Sequence, residues 1–158
     1  LTPNFPLFQE MYAGSLHMHP MGELETLAVL PLSWEQGDDP VDALELASYT
    51  WFLPPDDPKY PGLRRMVEDL WLSWGAKMPA IQEIATLQTA VPLIAGGLGV
   101  TLMPESIREH RHTQVAIRPL QQTVPTTTAA LIWAKETEPS PIARRFIELA
   151  KGLTQPLR

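Results

Sequence analysis

The stretch IQEIATLQTAVPLIAGGLGVTLMPES, residues 81–106, decides the fold. Its apolar residues change spacing along its length. Residues 81–85 form a short strand candidate, Thr86 is a residue type that caps helices, and Leu87, Ala90, Val91 and Ile94 then recur at helical spacing. Gly96 and Gly97 stop that helix. Pro92 predicts a bend or a late start, because its ring displaces the carbonyl of Gln88. Residues 100–103 read as a buried strand. Pro104, welcome in a first turn where an N–H has no intrahelical partner, opens a short helix over 104–109.

The same alternation continues outward. Upstream, residues 24–32 (LETLAVLPL) are apolar at roughly alternate positions and read as a strand. A polar loop over 35–40 follows, and Asp39-Pro40 starts a short helix over 41–47. The aromatic run 49–53 is a buried strand ended by Pro54-Pro55. Residues 54–61 hold four prolines and two aspartates and must be a loop leaving that strand. Leu63, Met66, Val67, Leu70, Trp71 and Trp74 then draw one helical stripe, with Gly75 suited to a left-handed cap. Downstream, 114–120 is a strand, 121–125 a turn and 126–134 a β-branched strand. Ser140-Pro141 opens a helix with Ile142, Phe146, Leu149 and Ala150 inward and Gly152 at its end. Residues 1–22, interrupted by Pro3, Pro6 and Pro20, are expected to be irregular. Strands separated by helices predict an α/β fold with a largely parallel sheet and a ligand beyond the carboxyl ends of the strands.

Composition narrows the function. The 158 residues are 44% hydrophobic and 19% charged, which suits one domain or two small lobes. A net charge of -6 opposes a phosphate-gripping surface, so the chain alone is not expected to bind DNA. There are no cysteines, hence no disulfide framework and no thiolate metal site. The apolar runs fall far short of the ~20 residues that span a bilayer, and no export signal is visible, so no membrane association and a cytoplasmic location are expected. Because the first residue is Leu1, a piece of a longer polypeptide is expected.

Residues 81–106 resemble the effector-binding domain of LysR-type transcriptional regulators. In that family a strand ending in Glu leads into a helix, an apolar-Ala-Gly-x-Gly turn, a buried strand and a Pro-x-Ser helix start. LETLAVLPL and DALELASYTWFLPP (residues 42–55) resemble the crossover strand, short helix and first strand of the family's second lobe. TTTAALIWA (126–134) and SPIARRFIELAKGL (140–153) resemble the return to the first lobe. The resemblance covers about residues 15–153. It implies a two-lobed, periplasmic-binding-protein-like (Rossmann-like) domain with a complete second lobe and a partial first lobe. Residues 1–22 would be the irregular N-terminal segment, 23–125 the second lobe with its crossover strand, and 126–158 the return strand and C-terminal helix of the first. The winged helix-turn-helix through which such regulators bind DNA has no counterpart here.

The site expected from this resemblance agrees with elementary electrostatics. A helix N-terminus offers unpaired N–H groups and positive partial charge to an anion. Thr86, Leu87 and Gln88 stand at such an end, and Thr86 either donates its hydroxyl to a ligand or only caps the helix. Pro55, Asp56 and Tyr60 lie in the loop that lines the effector cleft by position in the family, with Tyr60 either stacking on the ligand or simply exposed. Thr127 and Ile132 on the return strand are candidates for the cleft wall, Ile132 more plainly for packing.

No catalytic machinery is legible. Gly97-Leu98-Gly99 lacks the third glycine and the strand-to-helix order of a dinucleotide fingerprint. Ser106 has no flanking glycines of a nucleophile elbow. The pairs His17/His19 and His110/His112 lack the spacing of a zinc protease, and are expected at the surface. The carboxylates at Glu23, Glu25, Glu35, Asp38 and Asp39 read as a solvated face. The expected function is therefore sensing of a small organic anion, with no cofactor and no metal, in a protein that self-associates as a homodimer or homotetramer. An extracytoplasmic solute-binding protein of the same fold class is the alternative.

Overall fold

The structure is a computed structural model that describes residues 5–34, 37, 39–56, 62–109 and 114–153. Four helices and seven strands are seen among them: α1 (Phe5–Tyr12), β1 (Leu16–Leu24), β2 (Thr26–Pro31), β3 (Trp51–Leu53), α2 (Leu63–Ser73), β4 (Ile81–Glu83), α3 (Leu87–Ala95), β5 (Thr101–Pro104), β6 (Val115–Arg118), β7 (Thr127–Ala134) and α4 (Pro141–Leu153). Tight 3-10 turns cover Leu32–Trp34, Ala43–Ser48 and Glu105–Glu109. The short helix expected over 41–47 is the second of these. Asp42 sets its start, where its Oδ1 accepts the Leu44 N–H at 2.9 Å.

Side chains on the strands sort by parity into two cores, as a pleat of period two requires. Ala28, Leu30, Trp51, Leu53, Val100, Leu102 and Ala116 face α2, which contributes Leu63, Val67 and Trp71. Val29, Phe52, Met103 and Val115 face the other way onto Ala90 and Ile94 of α3. Burial on both faces is why these strands are apolar runs. Gly99 lets the chain turn into this layer beside Phe52, and Gly75 takes the left-handed conformation expected of it, at φ 69°. Pro92 lies inside α3, which still begins at Leu87 and needs no late start.

Two expectations require correction. The sheet is not largely parallel. β3 pairs with β4 in parallel and makes a parallel bridge from Trp51 to Val100, just before β5, but β2 runs antiparallel to both β5 and β6. A strand arriving from elsewhere and inserted at the sheet's middle need not follow the helix-crossover rule that keeps neighbours parallel. Nor is the N-terminal segment irregular. Residues 5–12 are helical, and Leu16–Leu24 pairs antiparallel with β7, with a register shift between Pro20 and Gly22 that accommodates the proline.

The C-terminal helix differs as well. Ser140 opens it, accepting the Ala143 N–H on its Oγ at 3.2 Å. Ala150 is buried, yet Ile142, Phe146 and Leu149 are 85%, 60% and 53% exposed and do not point inward. Lys151 lies over the Trp133 ring of the ribbon at 4.9 Å, while these three apolar side chains stay largely in solvent. Gly152 falls within the last turn, not beyond it.

Candidate functional site

Because β3 and β4 are parallel and in register, Leu53 opposite Glu83, their carboxyl ends leave the sheet together. The Ile84 N–H donates to the Leu53 carbonyl at 3.1 Å and ties the two exits to each other. One exit continues into Pro54-Pro55-Asp56 and the other into Thr86 and the start of α3. β5 ends at the same edge, held to β3 by the Thr101 hydroxyl on the Phe52 carbonyl at 2.6 Å. The structure therefore brings Pro55, Asp56, Thr86, Leu87 and Gln88 to one sheet edge.

Asp56 is exposed and uses its Oδ1 to accept the N–H of Gly62, at 3.2 Å, bracing the entry to α2. Thr86 occupies the N-cap position with extended backbone (φ -148°, ψ 155°), but its side chain makes no capping hydrogen bond. Its carbonyl instead accepts both the N–H and the hydroxyl of Thr89, at 3.0 and 2.6 Å. Among the described residues, the N–H groups of Leu87 and Gln88 meet no acceptor, as the first turn of any helix requires. Leu87 is half-buried and packs toward both cores, whereas Gln88 is exposed. This edge can accept negative charge by backbone dipoles alone.

Arg64, in the first turn of α2, is engaged at the same edge. Its guanidinium meets Glu68 at 3.1 Å and Glu83 at 2.6 Å, and the Glu68 hydrogen bond chiefly raises its pKa further, so its charge is already shared by two carboxylates. Sequence reading did not anticipate this pairing, since Glu83 lies 19 residues away.

Thr127 is 3% exposed and pairs with Leu24, two residues before Thr26, which itself stands opposite Pro104 at the end of β5. That register puts it near the strand ends. Ile132 pairs with Met18, five residues farther along the ribbon, about 16 Å on at the usual strand rise, and is 46% exposed. The ribbon thus does not bring Ile132 to the edge where Thr127 stands. Tyr60 lies outside the described residues, as do His110 and His112. His17 stacks on Trp133 with centroids 5.2 Å apart. Glu23 is exposed, as a solvated carboxylate should be, and also accepts the hydroxyls of Thr126 and Thr128 at 2.6 and 2.8 Å.

Such a sheet, with parallel strand ends beside a helix start and a separate β1–β7 ribbon, is a two-part α/β arrangement of the kind that ligand-binding domains use. The chain belongs to the LysR substrate binding domain family, whose match spans residues 8–155. It is 27% identical over 135 residues to the HTH-type transcriptional regulator CatR of Pseudomonas putida, covering 85% of this chain and 46% of that one. Among solved structures it is similar to the effector-binding domain of QuiR in complex with shikimate (TM-score 0.67, 19% identity, 88% of this chain and 65% of that one). It is also similar to the BenM effector-binding domain with its effector benzoate (TM-score 0.64, 21% identity, 90% and 68%). The fold is accordingly the periplasmic-binding-protein-like type, of which this chain makes up a part. It spans less than half the length of CatR. Among the described residues, no helix is long and apolar enough to cross a membrane.

Proposed function

We propose that the domain senses a small organic anion, held at the start of α3, for a cytoplasmic LysR-type transcriptional regulator. The observation that carries this reading is the edge where Leu87 and Gln88 present unpaired N–H groups beside a Thr86 hydroxyl that caps nothing. Shikimate and benzoate, the ligands named with two structurally similar domains, are both carboxylates, which supports an anion. Relatives bearing the names of transcriptional regulators support sensing over catalysis, and over solute capture outside the cytoplasm. Residues 23–125 form the second lobe in this reading and residues 126–158 return to the first, which α1 and β1 join. Pro55 and Asp56 line one side of the cleft and Thr127 the other. The effector changes the disposition of the lobes only through unequal affinity for their arrangements. The change is passed on through self-association, as a homodimer or homotetramer, and DNA is bound by a winged helix-turn-helix outside this chain.

The test is calorimetric titration of a panel of carboxylates into the parent regulator and its Thr86→Val variant, with melting temperatures for both. Losing one hydrogen bond to a charged group costs about 1.5–3 kcal/mol, or about tenfold or more in affinity, while stability changes little. An effector bound unchanged by the variant would place the anion elsewhere.

A further inference from the structure

Two segments carry the chain between the β1–β7 ribbon and the sheet: Leu24-Glu25-Thr26 going in, and residues 119–126 coming back. They cross at one place. The Thr26 hydroxyl donates to the Pro125 carbonyl at 2.7 Å, and the Glu105 N–H donates to the Glu25 carbonyl at 2.8 Å. The last ribbon pair, Leu24 with Thr127, adjoins this crossing. Among the described residues, neither ribbon strand pairs with a strand of the sheet, so the crossing is where the two bodies are joined by strand backbone.

Glu23, an exposed residue of β1 in register with Thr128, stands at the ribbon end where both segments leave, with both carboxylate oxygens engaged. Oε2 accepts from Thr126 at 2.6 Å and Oε1 from Thr128 at 2.8 Å. Thr128 is buried at 7% exposure, whereas Thr126 is exposed, so one carboxylate spans from the ribbon's packed side chains to the returning segment itself. Hydrogen bonds to an ionised acceptor are stronger than neutral ones, and two of them from one side chain fix the spacing and twist of the strands they join. Immediately before Glu23, the register of β1 shifts between Pro20 and Gly22, a local irregularity that adds bend and twist.

We propose that Glu23 is the clasp of the hinge, a positioning residue that holds the two crossing segments in one geometry and limits the range of arrangements open to the ribbon and the sheet. Its consequence for signalling rests on the sensing function proposed above, but the clasp itself is a property of the unliganded chain. Releasing it spreads the arrangements and leaves both bodies folded.

The chain has no cysteine of its own, so two introduced thiols, Lys77→Cys near the sheet and Glu136→Cys beyond the ribbon, both at exposed positions, are the only spin-label sites. Distances between them are measured by double electron–electron resonance, without effector, in the otherwise unaltered chain and in Glu23→Ala, Glu23→Gln, Thr126→Val and the triple variant Glu23→Ala/Thr126→Val/Thr128→Val. The expected result is a broader distribution for Glu23→Ala, an intermediate one for Glu23→Gln, which keeps one acceptor, and no further broadening in the triple variant. Amide exchange at Leu24 and Thr127 rises about tenfold, with β3 and β4 unaffected. An unchanged distribution in Glu23→Ala, or threonine substitutions that add to its effect, overturns the proposal. Should Glu23→Ala fail to fold, Thr126→Val at its exposed site decides alone, and an unchanged width there overturns it equally. Because no effector is used, failure to find one leaves this outcome untouched.

Discussion

Gly99 lies so close to Phe52 that a β-carbon on it would stand 2.7 Å from the ring Cε2 and collide with the Thr50 carbonyl oxygen. The glycine is required by space. Gly99 is buried just before Val100, whose N–H donates to that same Thr50 carbonyl at 2.9 Å, so neither backbone can withdraw without losing a bond of the sheet. Gly99→Ala is expected to destabilise the chain by at least the ~1–3 kcal/mol typical of an overpacked core. Urea denaturation measures it, and a change below about 0.5 kcal/mol would mean that the β3–β5 junction yields more easily than its packing indicates.

Two buried tryptophans differ in what their indole nitrogens do. Trp51 Nε1 donates to the Leu46 carbonyl at 3.1 Å, whereas Trp71 Nε1 is buried without a partner among the described residues, its ring set edge-on to Trp51 and Trp74 at 5.4 Å. Replacement by Phe removes similar volume at both sites, but only at position 51 does it break a hydrogen bond, while the Leu46 carbonyl keeps the Tyr49 N–H at 3.1 Å. Trp51→Phe should therefore cost more than Trp71→Phe by about 0.5–1.5 kcal/mol. Equal losses in denaturation would show that the Trp71 N–H finds an acceptor in solution.

The outer stripe of α4 gives a prediction of the opposite sign. Ile142 and Phe146 are mostly exposed, so Ile142→Ser and Phe146→Ser should each change the stability of this chain by less than about 0.5 kcal/mol. Leu46→Ala, at a fully buried site, should cost about 2–5 kcal/mol. Thermal melts at low protein concentration make the comparison. A large loss at 142 or 146 would mean that another surface covers the stripe in solution.

Net charge sets the expectation for nucleic acid. With -6 on 158 residues, the chain should show no sequence-specific affinity for an operator at physiological salt. A retarded band in a mobility-shift assay of the isolated chain would contradict this.

By itself the sequence determined whatever depends on neighbours along the chain. The Leu63-to-Trp74 stripe, the glycines at 75 and 96–97, and the apolar runs of β2 and β5 are local signals, and the strand–helix order they produce places Thr86 at a helix start. Residues 81–106 carried enough of that order to identify the family. Tertiary structure alone decided the partners. The segment LHMHPMGEL has no alternation and carries a proline, and it becomes β1 because β7 supplies the acceptors and donors it lacks locally. β2 reads as an ordinary apolar strand, yet its two antiparallel neighbours follow from where the chain enters the sheet. Glu23 reads as one solvated carboxylate among several and is exposed, but the hydroxyls it holds lie 103 and 105 residues away and no local pattern names them. Local pattern sets which face of an element is apolar, through the fixed periods of helix and strand. Which surface meets that face, and whether any does, depends on contacts between distant segments that no period records.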